Sequence, residues 1–278
     1  MVSNPPFVIG PGAATHTYRD SGRAGDALGA ELAALAPRML TDGGTMQYLA
    51  NWAHVAGQDW RERVAGWFAG TGCDVWAIQR EVTDPLTYVR MWLGDTGEID
   101  PGQQDAWLDW FEAHRIEAVG FGLITARHCG HDDPVVRAED LRQQVEQPLG
   151  AQVAAWFDRQ GWLRDRDASA LLAERYVAAD GVQLQQEATI GDDGWTVDRQ
   201  LLALPHGLRW VEQADPFIVS IVAGANGRLP LRDQLALLAA AYDVPAEELA
   251  GAAAEVAAHL VERGVLLPAA VAGQTPES

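Results

Sequence analysis

Lysine is absent from this 278-residue chain, so all 20 of its basic residues are arginines, set against 39 acidic ones. The net charge is therefore −19, and neither half relieves it: residues 1–133 hold 9 arginines against 18 carboxylates, and residues 134–278 hold 11 against 21. With no basic block in either half, the electrostatic footprint of non-specific nucleic-acid binding is missing. Cysteine is nearly absent too. Cys73 and Cys129 make no disulfide framework, and a reducing, cytoplasmic setting is the default. No apolar run approaches the 18 or so residues that a membrane span needs. The first residues lack the basic-then-apolar pattern of a secretory signal. No repeat with a period of about 20–50 residues suggests a solenoid.

Apolar content is ample for real cores, at 48% of residues, and the length suits one large domain or two modest ones. In the first half, strands and helices alternate. ALGAELAALAPRML has helical spacing at Leu28, Leu32, Leu35 and Leu40 and is broken by Gly43 and Gly44. TMQYLANWA reads as a strand, DWRERVAGWFAG as a helix and CDVWAIQREV as a strand. The helical pair DPLTYVRMWL and DAWLDWFEAHR follows, and then the strand IEAVGFGLITARH. This order predicts an open α/β sheet with helices on its faces. Asp132-Asp133-Pro134 marks the expected boundary, giving domains at 1–133 and 134–268 with a disordered tail at 269–278. Beyond it, RAEDLRQQVEQPLGAQVAAWFDRQGWL reads as helical. GVQLQQEATI and TVDRQLLAL form a hairpin around GDDG. Three helices and a short VLL strand then suggest a mostly helical, winged-helix-like domain. Its last helix carries Glu247, Glu248, Glu255 and Glu262 against Arg263, which disfavours insertion into a nucleic-acid groove.

Chemistry is concentrated in Asn4-Pro5-Pro6-Phe7. Each proline fixes its own φ and pushes the preceding residue toward extended geometry, so the pair forms a stiff platform at a strand end. The Asn4 side-chain oxygen and the Pro5 carbonyl can then accept both hydrogens of a substrate –NH₂. That draws its nitrogen out of conjugation and exposes the lone pair, while Phe7 stacks on the flat group bearing it. Tyr18 and Arg19 lie in the loop that follows, where a substrate would approach. Other clusters have plainer readings. His128, Cys129, His131, Asp132 and Asp133 lack the spacing of a zinc knuckle and read as a polar linker, so no metal is expected. Trp107, Trp110 and Phe111 could form an aromatic platform, but their helical spacing favours packing.

The motif and the stretch VIGPGAATHTYRDSGRAGDAL after it resemble the [D/N]-P-P-[Y/F] amino-methyltransferases that use S-adenosylmethionine. That group includes the N6-adenine, N2-guanine and release-factor glutamine methyltransferases. The resemblance covers about residues 1–128 and places the motif at the end of strand four of a seven-stranded class I, Rossmann-like sheet. It implies that Asn4, Pro5, Pro6 and Phe7 carry the target-amine site, with an RNA or DNA base or a protein glutamine as substrate. The family holds its cofactor on strands one to three, through a Gly-rich turn after a strand. Here Gly10-Pro11-Gly12 follows the motif, and Gly120-Phe121-Gly122 lies within a strand. The expectation is the second half of a methyltransferase domain, N-terminally truncated and unable to bind S-adenosylmethionine alone. The edge of its motif strand is then exposed and ready to pair with another chain. The alternatives are one half of a split enzyme and a catalytically inactive binding or regulatory module.

Overall fold

The computed structural model describes residues 1–12, 21–94 and 100–272, and the chain divides into two units, Met1–Gln143 and Gln144–Ser278. Tyr18, Arg19 and residues 273–278 lie outside the described residues. No helix among the described residues is long and apolar enough to cross a membrane.

The first unit runs β1 (Val2–Ser3), α1 (Ala27–Met39), β2 (Thr45–Val55), α2 (Trp60–Gly66), β3 (Cys73–Thr83), α3 (Pro85–Gly94), α4 (Pro101–Ala113), β4 (Ile116–His128) and β5 (Val136–Asp140). Its five-stranded sheet has the order β1-β2-β4-β3-β5, with β1 parallel to β2, β5 parallel to β3, and β4 antiparallel to both neighbours. Alternation along β2 divides the core in two. Met46, Tyr48, Ala50 and Trp52 face a layer that includes Ala33 and Ala36 of α1 and Trp60 and Val64 of α2. Ala53 faces the opposite layer with Tyr88, Val89, Trp107 and Phe111 of α3 and α4. The unit is mixed α/β, as the alternating pattern implies.

Three expectations need correction in this unit. The boundary lies beyond Asp133-Pro134, because the next residues form β5 rather than a helix. The Val75 amide donates to Val135 O at 2.8 Å, and Val136–Asp140 pair with Val75–Gln79. The helix of that stretch begins only at Gly150. The motif strand offers no long edge, since β1 has only two residues and two prolines without N–H groups end its ladder. Met1 and Val2 are its exposed apolar side chains. In α1 the buried stripe is Gly29, Ala33 and Ala36 rather than the leucines. A Cβ at Gly29 would come within 2.9 Å of the Trp67 ring, so small residues let this helix lie close to its neighbour.

The second unit contains α5 (Gly150–Arg164), α6 (Ala168–Ala173), β6 (Arg175–Ala178), β7 (Gln183–Gly191), β8 (Gly194–Ala203), β9 (Val211–Gln213), α7 (Pro216–Gly224), β10 (Asn226–Pro230), α8 (Leu231–Tyr242), α9 (Ala246–Arg263), β11 (Leu266–Pro268) and α10 (Ala269–Ala272). Its two antiparallel sheets have the orders β10-β6-β11 and β7-β8-β9. Asp215 caps α7 by accepting from the Ile218 amide at 2.8 Å, with Pro216 in the first turn. In α9 the buried stripe Ala253, Ala257, Leu260 and Val261 joins Leu231, Leu235, Ile221 and Tyr176 in one core. The segment at 269–272, expected to be disordered, is the helix α10.

Candidate functional site

Asn4 is exposed, Pro5, Pro6 and Phe7 are half-buried, and Val8 and Ile9 enter the core. The motif therefore rises from buried backbone at the end of a parallel edge strand. Tyr88 of α3 fixes that exit. Its hydroxyl oxygen accepts from the Ile9 amide at 2.9 Å and from Asn51 Nδ2 of β2 at 2.6 Å. Burial pushes the Tyr88 phenol up, so it stays neutral and serves as a hydrogen-bonding hub. One polar ring thus ties α3, β2 and the chain leaving the motif together.

Phe7 forms one wall of a cleft of about 200 Å³ shared with Asn51, Glu81, Tyr88, Trp92 and Phe121. Its ring lies 5.5 Å from Phe121 at 42° and 6.3 Å from Trp92 at 81°, both within the range of favourable aromatic pairing. Asn51 borders the cleft and is only 3% exposed. Its Oδ1 is buried and accepts no hydrogen bond within the described residues. A buried acceptor without a donor is costly. Beside an aromatic cleft it is a ready partner for a substrate N–H. Motif reading reached Phe7 but missed Asn51, Tyr88, Glu81 and Phe121. The available signal was Asn51 itself, an amide inside the otherwise largely apolar run YLANWA.

The other candidate residues are placed differently. Trp107 packs against Gly10, where a Cβ would meet its ring at 3.1 Å, and both Trp107 and Phe111 belong to the core. Trp110 is half-buried and meets the His114 ring at 4.3 Å. Around His128, the imidazole Nδ1 is 3.3 Å from Asp42, and the Cys129 thiol donates to Gly72 O at 3.2 Å. Among the described residues no group of three or more His, Cys, Asp or Glu gathers as a metal site.

Neither glycine pair is free to cradle a nucleoside cofactor. The Gly10 carbonyl accepts from the Gly25 amide at 3.0 Å, and a Cβ at Gly12 would meet Ala24 N at 2.9 Å. Gly120 and Gly122 are covered by the Trp52 indole. Neither pair therefore supplies the open Gly-rich turn between a strand and a helix on which such a cofactor rests.

The second unit carries an ionic cluster around Glu212. Glu212 of β9 is 2.5 Å from His259 Nε2 and 2.8 Å from Arg263 Nε, and the Arg263 guanidinium lies 4.0 Å over Trp210. Burial pushes the Glu212 carboxyl up, but the hydrogen bond and charge of His259 and the charge of Arg263 outweigh it and hold it below its ordinary value. The bond to Glu212 raises His259 above its ordinary 6.5. A raised histidine contributes its full stabilisation below its unfolded pKa and loses it as pH climbs through the folded one. A lowered carboxylate contributes above its unfolded pKa and loses it as pH falls through the folded one. The pair is therefore most favourable between about pH 4.5 and 6.5. Titration of the His259 ring by NMR should give a midpoint above 6.5, moving down in Glu212→Gln. An unchanged midpoint in the variant would show that Glu212 is not the cause.

Residues 154–268 match the profile of a family described as Domain of unknown function (DUF7782), a span that covers most of the second unit. No curated protein matches the chain.

Proposed function

We propose that the first unit is the amine-presenting half of an S-adenosylmethionine-dependent amino-methyltransferase of the N-P-P-F type. The observation that carries this reading is the placement of Asn4-Pro5-Pro6-Phe7. The motif leaves a parallel edge strand, is braced from below by Tyr88, and sets Phe7 against an aromatic cleft. The sheet edge supports it as well. In doubly wound sheets strand four lies between strands one and five. Here β1 has β2 on one side and no strand on the other among the described residues.

In this reading the Asn4 side chain and the Pro5 carbonyl accept the two hydrogens of the target amine, and Phe7 holds the conjugated frame that bears it. The amine's lone pair is thereby turned out of the frame and toward the methyl donor. The substrate is an amino group on a flat frame, either a nucleobase amine or a glutamine carboxamide. The winged-helix-like reading of the second unit rests on α7, α8 and α9 packed with the three-stranded sheet β10-β6-β11. With an acidic α9, it is read as a protein-contact domain rather than a nucleic-acid reader.

The test is methyl transfer by the native protein isolated from its own cells. Tritium from labelled S-adenosylmethionine is followed into RNA, DNA and protein acceptors. Asn4→Ala is expected to lower transfer about 100-fold, the typical loss for one fixed dipole at a reacting centre, with little change in stability because Asn4 is exposed. Transfer that is indifferent to Asn4, or no labelled acceptor of any class, overturns the proposal. The second result would move the inactive-module reading forward.

A further inference from the structure

The hairpin β7–β8 keeps an apolar face that no described residue of the second unit covers at its tip. Register places Ile190 opposite Trp195 and Ala188 opposite Val197, and these four share one face because side chains repeat every second residue. The irregularity between Glu187 and Ala188 sets Asp198 aside as the extra residue. The opposite face is polar: Thr189 Oγ1 bonds Asp198 at 2.6 Å, and Arg199 is 3.9 Å from Glu187. Down the ribbon, the apolar face leads through Gln186 and Gln200 to Leu184 and Leu202, and Leu202 is part of the unit's core. The face that turns inward at the base therefore continues outward past the end of that core. At the tip Trp195 is 73% exposed, Ile190 60% and Val197 44%.

Apolar surface so exposed is unfavourable for a free ribbon, and a two-stranded ribbon is only marginally stable without something packed on it. The surrounding charge narrows what that can be. Glu187, Asp192, Asp193 and Asp198 stand against Arg199 alone on this ribbon. Phosphate backbones and anionic lipid headgroups would be repelled. A second copy would bring the same acidic tip and the same net charge of −19.

We propose that this hairpin tip docks a protein surface with an apolar or aromatic centre and an arginine- or lysine-rich rim. Trp195 and Ile190 fill the centre as anchors, and the carboxylates around them set the approach and the partner's charge. The proposal stands on the second unit alone and is independent of the methyltransferase reading.

The probe is a random peptide display library panned against the full chain, with counter-selection on the Ile190→Ser/Trp195→Ser double variant. Both side chains are exposed, so this variant should fold, which circular dichroism and the unfolding midpoint check. Selected peptides are expected to combine aromatic or large aliphatic residues with arginine or lysine. Their affinity should fall at least about tenfold in the double variant, as for loss of interface anchors. It should also fall in Asp192→Arg/Asp193→Arg, and with rising salt. Enrichment of acidic or uncharged peptides, or no enrichment that the double variant abolishes, overturns the proposal. So does binding of the tip to anionic vesicles or to single-stranded RNA, and so does self-association lost in the double variant.

Discussion

Replacing Gly122 with alanine is expected to destabilise the first unit by about 3 kcal/mol or more, at or above the top of the roughly 1–3 kcal/mol usual for an overpacked core. A methyl group at Gly122 would overlap the Ile78 carbonyl oxygen of β3 and meet the Trp52 ring at 2.8 Å. The Trp52 indole lies across both Gly120 and Gly122, is fully buried, and donates from Nε1 to Gln79 Oε1 at 2.9 Å. On its other side it stacks on Trp60 at 5.5 Å and 8°. Neither the ring nor the β3 backbone can retreat, because β3 is hydrogen-bonded on both edges, to β4 and β5. Gly66, the last residue of α2, has nothing within 4 Å of its missing Cβ. Gly66→Ala should be neutral or stabilising by about 0.5–1 kcal/mol. Unfolding of the full chain, followed by tryptophan fluorescence and by amide exchange along β4, separates the two. A Gly122→Ala chain within about 1 kcal/mol of its parent would show that the strand can shift to admit the methyl group.

Those glycines also mark where sequence reading stopped. Both were visible in IEAVGFGLITARH, and that stretch is β4 from Ile116 to His128. What they do depends on Trp52, about seventy residues away in the chain but directly opposite Gly120 in register. Local pattern shows that a strand contains glycine; only pairing shows which ring lies over it. The same division holds elsewhere. The strands β2 and β3 were legible because buried sheet strands are apolar runs bounded by turns. The three helices expected before VLL are α7, α8 and α9, and the structure puts Asp215 and Pro216 at the start of α7 and Gly264 just past the end of α9. By contrast β5 was read as helix, since five residues ending in Glu139 and Asp140 show no strand alternation of their own. It is a strand because β3 offers it a free parallel edge. At the site, the platform Asn4-Pro5-Pro6-Phe7 could be picked out from proline stereochemistry alone. The Tyr88–Asn51 brace beneath it could not, because it joins α3 to β2.

Asp26 makes the same point and carries the second large effect. It occupies the N-cap of α1, but its side chain makes no cap hydrogen bond. Instead, Oδ2 accepts from the Ala53 amide of β2 at 3.1 Å, and Arg63 of α2 binds the carboxylate with both Nε and a terminal nitrogen, at 2.8 and 2.7 Å. One carboxylate thus joins the start of α1, the end of β2 and α2. The Asp26 side chain is 7% exposed and that of Arg63 33%. The hydrogen bond to Asp26 is the largest influence raising Arg63 above its ordinary value. Asp26→Ala leaves the Ala53 amide without its side-chain acceptor and the guanidinium without its counter-charge. Arg63 can turn partly to water, so the expected loss is about 2–4 kcal/mol, below the upper range for a fully buried pair. Arg63→Met alone strands the buried carboxylate. The double variant Asp26→Ala/Arg63→Met removes both charges and should recover at least about 1 kcal/mol of the summed single losses. Urea unfolding of the four chains closes the cycle. Strict additivity would mean that the two charges do not act as a unit and that the value of Asp26 lies in the Ala53 amide alone. A large coupling would make the pair the clamp that holds α1 and α2 on one side of the sheet.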